Sequence, residues 1–553
     1  MTCPLPQTAS QGAILTSWQS LALACAAILV VGAVHAEDAT SGQKPALDKP
    51  EITTGALAAD AAKPNEAYTA ALDKKLFAPD GTAELEKSER GALAEFHQTR
   101  QGQPLWIADG KLTAKAAAVI AEIGRANDWG LEASDFILPN ASSETLAAEA
   151  QAEAESTLSL AVLKYARYAR GGRIMEPSET LNSNLDRKPQ LIEPKIVLAE
   201  IAKSDAPDAY LKTLHPKHPQ FEKLRQAFLV AAKTPEPRAN GKVQKASSLS
   251  PLARKLRANM EEWRWMPADM GALHVFNNIP EFMQYVYKDG EIIRSEKIVA
   301  GLVDKPSSIF SRSLKHVVLR PMWKVPESMK VNELWPSLLR GGGLMREYGL
   351  SLQSKDGKNL DYRQIDWSHA DIRNYEVIQP PGGKSVLGVV KFSFPSQHTI
   401  YMHDTPDKWM FRPAQRTLSH GCLRVKNPVE LAEIILQDDK GWDKAKVAEL
   451  IRSGPLNNEV AIEKRIPIHL AYFTAWVDNA GKLKTFADVY GHEKRIALAL
   501  EGRWKEINKG RDHLAPVQPN FDPHAPQAPR IARGRLQQQT VGDFIGNAFG
   551  IGF

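Results

Sequence analysis

The one cysteine beyond the first 36 residues lies in a short polar stretch, SHGCLR (419–424), which follows a histidine at the end of another short motif. A thiol becomes a nucleophile as its thiolate, and it needs a nearby base or cation to reach that state at neutral pH. His403 ends the β-like run TIYMH (399–403), so a sheet edge could place its imidazole against the sulfur of Cys422. This pair is the minimum machinery for acyl transfer through a thioester.

The residues next to Cys422 predict an accessible turn. Gly421 has no side chain, so a carbonyl can approach the sulfur while backbone N–H groups hold a developing oxyanion. His420 is nearer to the thiol in sequence, but in a tight turn it points away, so we expect it to help hold the turn rather than act as the base. Arg424 can bind a substrate carboxylate or pair with a nearby acidic residue, and both alternatives stay open.

Two other interpretations of the cysteine compete with catalysis. Free cysteines are often inert and buried, but a preceding glycine and an arginine two positions later are unusual in a plain core strand. A metal site built from His398, His403, His420 and Cys422 would suit zinc chemically, yet the spacing matches no standard zinc pattern. We therefore expect neither a metal nor a cofactor.

The two motifs are similar to a known signature. YMHDT followed by SHGCLRV resembles the L,D-transpeptidases with a YkuD-type catalytic domain. The stretches LRANMEEWRWMP, MWKVPESM, PPGGKSVLGVVKFSFP and FTAWVDNAGKL resemble the larger YcbB-like members, which carry a helical scaffold before the catalytic domain and a capping insertion within it. The resemblance covers about residues 84–502. Those relatives commonly carry a small peptidoglycan-binding module before the NMEEWRW helix, where this chain has only a linker.

The resemblance implies a set of site residues: Cys422 as nucleophile, His403 as proton acceptor and donor, Gly421, His420 and Ser419 at the oxyanion hole and its turn, and Arg424 and Tyr401 for substrate. It implies that the thiolate attacks the carbonyl joining diaminopimelate to the terminal D-alanine of a peptidoglycan tetrapeptide stem. An amine of a second stem then resolves the thioester and forms a cross-link. Water or a lysine of an envelope protein are alternative acceptors, and a non-catalytic wall-binding scaffold is the rival from another class. The resemblance also implies that carbapenems acylate the same sulfur.

The N-terminus predicts export. Residues 21–34 form an uncharged apolar run followed by VHA (34–36), which is typical of a signal peptide over residues 1–36, although an uncleaved anchor remains an alternative. Cys3 and Cys25 lie inside this segment, so the mature chain keeps a single thiol and no intramolecular disulfide. We expect the protein in the periplasm or cell envelope.

Length and pattern predict the domain organisation. A chain of 553 residues exceeds a single core, and helical patterns precede strand patterns, which favours an α+β class: a helical scaffold domain and then a mainly β catalytic domain. The 70 basic and 64 acidic residues give no argument for nucleic acid. For the tail, docking or an envelope partner is the alternative to disorder. The predicted segments are a flexible spacer (37–83), the scaffold domain (84–232), a linker (233–249), the catalytic domain (250–502) with its capping insertion (322–375), and a disordered Pro/Gly-rich tail (503–553).

Overall fold

The computed structural model of the protein describes residues 66–77, 82–140, 145–233 and 249–522. A helical part is followed by a mainly β part, so the predicted α+β class is confirmed. The predicted signal peptide and most of the predicted linker lie outside the described residues. Within the described ranges, every helix is too short or too polar to cross a membrane.

The helical part encloses one apolar core and has clear local start and stop signals. The hydroxyl of Thr113 accepts a hydrogen bond from the N–H of Ala116 at 3.1 Å and begins a helix. Gly172, with φ of 86°, ends the longest one. The helices are α1 (Glu66–Leu76), α2 (Glu84–Thr99), α3 (Ala114–Gly124), α4 (Ala148–Gly171), α5 (Pro177–Thr180), α6 (Pro194–Lys203), α7 (Pro207–Thr213) and α8 (Pro219–Lys233), and the short strands β1 (Ile107–Ala108) and β2 (Lys111–Leu112) form a hairpin between α2 and α3.

Helix α1 lies inside the segment predicted to be a flexible spacer, so that prediction is wrong for residues 66–76. Tyr68, Leu72 and Leu76 recur every four residues and are buried in the same core as the apolar face of α4. This stretch is rich in Ala and Lys, and its composition concealed a narrow apolar stripe that packs mainly against α4.

Helix α9 (Pro251–Trp265) joins the helical and β parts. It begins as predicted, with the Ser250 hydroxyl accepting from the N–H of Ala253 at 3.2 Å and a proline in the first turn. Glu261, in the middle of α9, is buried and accepts hydrogen bonds from the backbone N–H groups of Arg173 and Ile174, which follow α4. The segment that follows α4 in the scaffold is therefore held directly on the first helix of the β part.

The β part is built on one large sheet. Its strand order is β16-β7-β12-β13-β15-β5-β4-β3-β17-β6, and β14 also pairs with β5. Asp289 and Gly290 connect β4 and β5 as a hairpin, as the sequence predicted. The strands of the β part, including those of the cap, are β3 (Leu273–Asn278), β4 (Met283–Lys288), β5 (Glu291–Gly301), β6 (Phe310–Ser313), β7 (His316–Leu319), β8 (Trp323–Lys324), β9 (Ser351–Ser354), β10 (Asn359–Leu360), β11 (Tyr375–Gln379), β12 (Val390–Ser393), β13 (Met402–His403), β14 (Thr417–Ser419), β15 (Leu423–Val425), β16 (Asn458–Ala461), β17 (Pro467–Ala471), β18 (Ala475–Val477) and β19 (Leu483–Thr485).

The predicted capping insertion folds as a unit with its own core. Strands β10-β9-β11-β8 form a separate four-stranded sheet, accompanied by α10 (Glu327–Met329), a π-helical turn (Lys330–Leu334), α11 (Trp335–Leu339) and α12 (Gly343–Glu347). The unit extends past the predicted end at residue 375, because β11 runs to Gln379 and Leu387 still packs in this core. We call residues 323–387 the cap. The remaining helices are α13 (Pro428–Lys440), α14 (Lys444–Ser453) and α15 (His492–Leu500).

The first part of the tail is ordered against the protein, so the prediction of disorder is wrong for residues 503–522. The carbonyl of Lys509 accepts from the side chain of Asn182 at 2.6 Å, and Phe521 packs edge-on against Trp335 of the cap. These contacts hold residues 503–522 against the chain itself, and docking of the Gly-rich terminus stays a prediction. Residues 523–553 lie outside the described part of the chain.

Candidate active site

Cys422 lies on the tight turn between β14 and β15. The hydroxyl of Ser419 donates a hydrogen bond to the carbonyl of Cys422 at 2.6 Å and accepts one from the N–H of Gly421 at 3.2 Å. Gly421 has a φ of 111°, and its carbonyl accepts from the hydroxyl of Ser307 at 2.6 Å. The turn is thus stabilised by Ser419 within it and by Ser307 on a neighbouring loop. The thiol of Cys422 on this turn is half-buried.

Strand register brings the predicted site residues to one face of the sheet. Strands β13 and β15 are parallel neighbours, with Met402 opposite Leu423 and His403 opposite Arg424. Met402 and Leu423 are fully buried in the core. Because side chains alternate along a strand, their flanking residues Tyr401, His403, Cys422 and Arg424 face the other way, together.

The thiol of Cys422 is surrounded by hydrogen-bonding groups. Both the phenol and the backbone N–H of Tyr401 bond to the sulfur, and the carbonyl of Thr399 lies 3.9 Å from it. Burial raises the pKa of Cys422, while the bonds from Tyr401 and the charges of Lys391 and Arg424 lower it in part. The net direction is upward, so the thiol is protonated at neutral pH and needs a base.

His403 has one ring nitrogen engaged and lies on the same sheet face as the thiol. Its Nδ1–H donates to the backbone carbonyl of Asp404, which leaves the lone pair of Nε2 as the proton acceptor. Burial, followed by the charge of Arg424, lowers the pKa of His403 to about 3. The carboxylate of Asp404 is occupied elsewhere, by the N–H of Val389 and by Lys408. The backbone carbonyl of Asp404, and not its carboxylate, therefore orients the ring of His403.

His420 connects the turn to the cap. Its Nε2 lies 2.9 Å from a carboxylate oxygen of Glu333, and the same oxygen lies 3.2 Å from the ammonium of Lys305. Burial alone would raise the pKa of Glu333, but the bond to His420 and the charges of His420 and Lys305 bring it below its ordinary value. His420 therefore faces a carboxylate of the cap, which agrees with a structural task and leaves its role a prediction.

Arg424 lines the site and is only loosely paired. The nearest carboxylate oxygen, from Asp407, is 3.9 Å from its guanidinium, which also contacts the sulfur of Met410. Its Nε is buried and lacks a hydrogen-bond partner among the described residues. Burial lowers the pKa of Arg424. A cation with a distant counter-ion and an unused donor fits an incoming carboxylate.

The thiol opens into a cavity of about 110 Å³ between the sheet and the cap. The sequence predicted a capping insertion, but it did not indicate which cap residues line this cavity or that Lys391 lies beside His403, because only strand pairing and cap closure bring these residues near. Trp323 of the cap also hydrogen-bonds to the phenol of Tyr401. The sheet contributes Tyr401, His403, Asp407, Ser419, His420, Cys422 and Arg424, and the cap contributes Trp323, Val325, Pro326, Met329, Glu333, Leu334, Tyr348, Leu350, Val386 and Leu387.

The four residues considered for a metal site do not converge. His398 hydrogen-bonds to Asp186 at 2.9 Å and to His513 at 2.6 Å, so its ring is engaged with the scaffold and the tail. His403 and His420 face different acceptors, as described above. Among the described residues, no cluster of three or more His, Cys, Asp or Glu side chains has the geometry of a metal site.

Solved structures of several L,D-transpeptidases align with part of the chain. The L,D-transpeptidase from Mycobacterium smegmatis is 13% identical, with a TM-score of 0.16, over 36% of this chain and 58% of that one. The catalytic domain of the E. faecium L,D-transpeptidase acylated by ertapenem is also 13% identical, with a TM-score of 0.17, over 36% of this chain and 98% of that one.

Sequence comparison gives two family matches and a relative. A protein of Haemophilus influenzae named "Putative L,D-transpeptidase" is 30% identical over 263 residues, or 48% of this chain, and the chain spans about half (53%) of that protein's length. The model of the Scaffold domain matches residues 91–228, and the YkuD model of the L,D-transpeptidase catalytic domain matches residues 273–447, the range that holds His403 and Cys422. The resemblance read from the two short motifs is confirmed: the chain carries a Scaffold domain followed by an L,D-transpeptidase catalytic domain of the YkuD family.

Proposed function

We propose that the protein is a peptidoglycan L,D-transpeptidase that cross-links stem peptides through a thioester on Cys422. The observation that carries this proposal is the shared sheet face: thiol, phenol, neutral imidazole and guanidinium lie together in a cavity within the matched catalytic domain. That set can activate a nucleophile, hold a developing oxyanion and bind an acidic peptide.

In the first half-reaction, the proton of the Cys422 thiol moves to Nε2 of His403 as the sulfur attacks the carbonyl before the terminal D-alanine. A tetrahedral oxyanion forms, then collapses as the C–N bond breaks, and His403 returns the proton to the leaving amine. In the second half-reaction, His403 takes a proton from the amine of a second stem. That amine attacks the thioester, and the thiol is released.

The oxyanion needs hydrogen-bond donors close to the sulfur. The N–H of Gly421 already donates to Ser419, so the predicted use of this group requires that bond to weaken. The phenol of Tyr401 is a second donor at the sulfur, and the N–H of Cys422 itself is the third. We assign Arg424 to a carboxylate of the donor stem because of its unused Nε donor.

The cap must move for this reaction. A cavity of about 110 Å³ is smaller than the roughly 300 Å³ at the lower end of small-ligand pockets. A stem peptide joined to its glycan strand is larger still. We therefore infer that the donor enters when the cap is displaced from the sheet, and that the cap then excludes water from the thioester.

The proposal places the protein outside the cytoplasmic membrane, in the periplasm or cell envelope, since its substrate is there and residues 1–36 have a signal-peptide pattern. A fusion of these residues to a reporter that is active only after export tests this placement. Retention of the reporter in the cytoplasm would contradict it.

The chemistry is tested first by intact mass after incubation with a carbapenem. We expect one adduct on the wild type, none on Cys422→Ala, and labelling slowed by roughly 100-fold or more on His403→Ala, because a general base typically contributes 10²–10⁴-fold. A wild type that is folded and reduced but forms no adduct would reject an activated thiol and favour the wall-binding scaffold.

The acceptor is tested with purified disaccharide-tetrapeptide. A cross-linked dimer that forms with loss of one D-alanine supports transpeptidation, whereas tripeptide alone identifies water as the acceptor. Cys422→Ala is the control in both assays, since neither product can form without the thioester.

A further inference from the structure

Lys391 lies on the same sheet face as the site residues, outside the two short motifs that contain His403 and Cys422. It is on β12, which pairs with β13 so that Lys391 is opposite His403 and Phe392 is opposite Met402. Phe392 and Met402 are fully buried in the core. Lys391 therefore points with His403 toward the thiol side of the sheet.

The ammonium of Lys391 contacts the ring that holds the sulfur. Its Nζ lies 4.4 Å from the centroid of the Tyr401 ring, a distance at which a cation is attracted to the ring face. The phenol of the same ring hydrogen-bonds to Cys422. Lys391 can thus hold Tyr401 in place and favour donation by its hydroxyl.

Lys391, His403 and Arg424 also lie side by side in a row on three adjacent strands. His403 is opposite Lys391 on one side and Arg424 on the other, so the imidazole lies between two cations on adjacent strands. The acidic residue in this row, Glu459, is separated from Lys391 by Val318, a gap of two strands or about 10 Å. Glu459 acts on the Lys391 ammonium through its charge, and no carboxylate among the described residues hydrogen-bonds to that ammonium. The charge of Lys391 is thus available to the site.

We propose that Lys391 is a positioning residue for acylation: it fixes Tyr401 against the sulfur and favours negative charge on Cys422 while it keeps His403 unprotonated. The mechanistic role rests on the proposed function, whereas the effect on the thiol does not. When the Cys422 thiol loses its proton, the negative sulfur lies near the ammonium of Lys391. In the proposed reaction, that proton is on His403 by the time the oxyanion has formed.

The direction of the electrostatic effects agrees with this geometry. Burial lowers the pKa of Lys391, and the charges of Cys422 and then of Glu459 offset part of that lowering. Reciprocally, after burial has raised the pKa of the thiol, the charge of Lys391 is among the groups that lower it. Burial and Arg424 lower the pKa of His403 first, and Lys391 adds to them.

The test is the pH dependence of iodoacetamide alkylation at Cys422, measured on the full chain by peptide mass spectrometry, which needs no transpeptidase substrate. Lys391→Met removes the charge and keeps an unbranched side chain, and Lys391→Arg keeps the charge. Lys315→Met is the matched control, because Lys315 is exposed and lies just before β7 of the same sheet. We expect Lys391→Met to raise the alkylation midpoint by about one pH unit, or roughly tenfold less thiolate at a given pH.

Lys391→Arg is expected to stay within about threefold of the wild type in thiolate fraction, and the control should match the wild type. Carbapenem acylation of Lys391→Met should slow by roughly the same tenfold. An unchanged midpoint overturns the inference even if acylation slows, because the lysine would then act on the substrate alone. If Lys391→Met shifts the midpoint but the wild type never reacts with a carbapenem, the effect of Lys391 on the thiol stands and the proposed function is rejected.

Two further variants keep the test informative. If Lys391→Met does not fold, Lys391→Gln removes the charge with a polar side chain and is measured in the same way. In a Tyr401→Phe background, the effect of Lys391→Met on the midpoint should shrink, since part of it passes through the phenol. Equal effects in both backgrounds would contradict the positioning of Tyr401.

Discussion

At the scale of single residues, the chemistry of the site depends on which atom each neighbour presents to Cys422. His403 presents an unprotonated Nε2 because its other nitrogen is bound to a backbone carbonyl. Tyr401 presents a hydroxyl and a backbone N–H. With the thiol pKa raised and the imidazole pKa lowered, both groups are neutral at neutral pH. In the proposed reaction, charge develops only as the carbonyl is attacked.

A neutral pair has a specific consequence for pH. A histidine with the ordinary pKa of about 6.5 would lose its base function below that pH, whereas His403, with a pKa of about 3, stays unprotonated at pH 5. We expect the rate of carbapenem acylation at pH 5 to be within about twofold of the rate at pH 7. Stopped-flow or mass-resolved kinetics across pH 4.5–7.5 measure this, and a tenfold fall with a midpoint near 6.5 would contradict the neutral pair.

At the scale of elements, the turn that carries Cys422 is held by the loop after β5. A Cβ added to Gly301 would meet only backbone atoms, including the N–H nitrogen of Ser307 at 2.8 Å and the Cα of Gly421 at 2.9 Å. Neither neighbour is a flexible side chain that can move away. The two segments can approach this closely because residue 301 has no side chain at the contact.

We therefore expect Gly301→Ala to lower the free energy of unfolding by about 1–3 kcal/mol or more, the cost of overpacking, and to slow alkylation of Cys422. Thermal unfolding and iodoacetamide kinetics measure the two effects. Gly343→Ala is the control, since nothing lies within 4 Å of the added Cβ. A variant with wild-type stability and reactivity would show that the contact relaxes.

The cap is a second element whose attachment can be tested. Glu333 joins it to His420 on the catalytic turn and to Lys305 on the loop after β5. Loss of a charged hydrogen-bonded pair of this kind costs about 1–3 kcal/mol locally.

Glu333→Ala should accordingly increase amide hydrogen exchange in residues 327–339 by roughly tenfold, while the large sheet remains protected. The exposed cap residue Glu347, changed to alanine, serves as the control. Equal exchange in both variants would mean that the apolar core of the cap, and not this ion pair, keeps it closed.

At the scale of the whole molecule, the ordered part of the tail connects three units. His513 lies 2.9 Å from the hydroxyl of Ser183 in the scaffold and 2.6 Å from His398 in the catalytic domain. Further along, the N–H of Asn520 donates to the side chain of Asn332 in the cap at 3.0 Å. The segment thus spans from the scaffold to the roof of the active site.

His513→Ala is expected to lower the melting temperature by about 3 °C, because it removes partly buried hydrogen bonds to Ser183, Ser308 and His398 that are worth about 1 kcal/mol each. Leu514→Ala is the matched control, since that side chain is 42% exposed. Differential scanning calorimetry of the full chain measures both. Equal melting temperatures for the two variants would show that the tail contributes no stability through His513.

The sequence by itself determined the local features. The polar types at His403 and Cys422 indicated the chemistry, Ser250 and Pro251 began α9, and Asp289 with Gly290 formed the hairpin. Each of these depends on capping, turn geometry or side-chain alternation, which act over a few residues. The family motifs are equally local, and they were sufficient to identify the catalytic domain.

Only the tertiary structure decided which segments meet. The pairing of β12 with β13 places Lys391 beside His403, and closure of the cap places Glu333 beside His420. Composition predicted disorder for residues 66–76 and 503–522, yet both are ordered because a few apolar or hydrogen-bonding side chains find partners distant in sequence. Such contacts depend on strand register and on surfaces formed by the whole fold, which no local pattern in the sequence encodes.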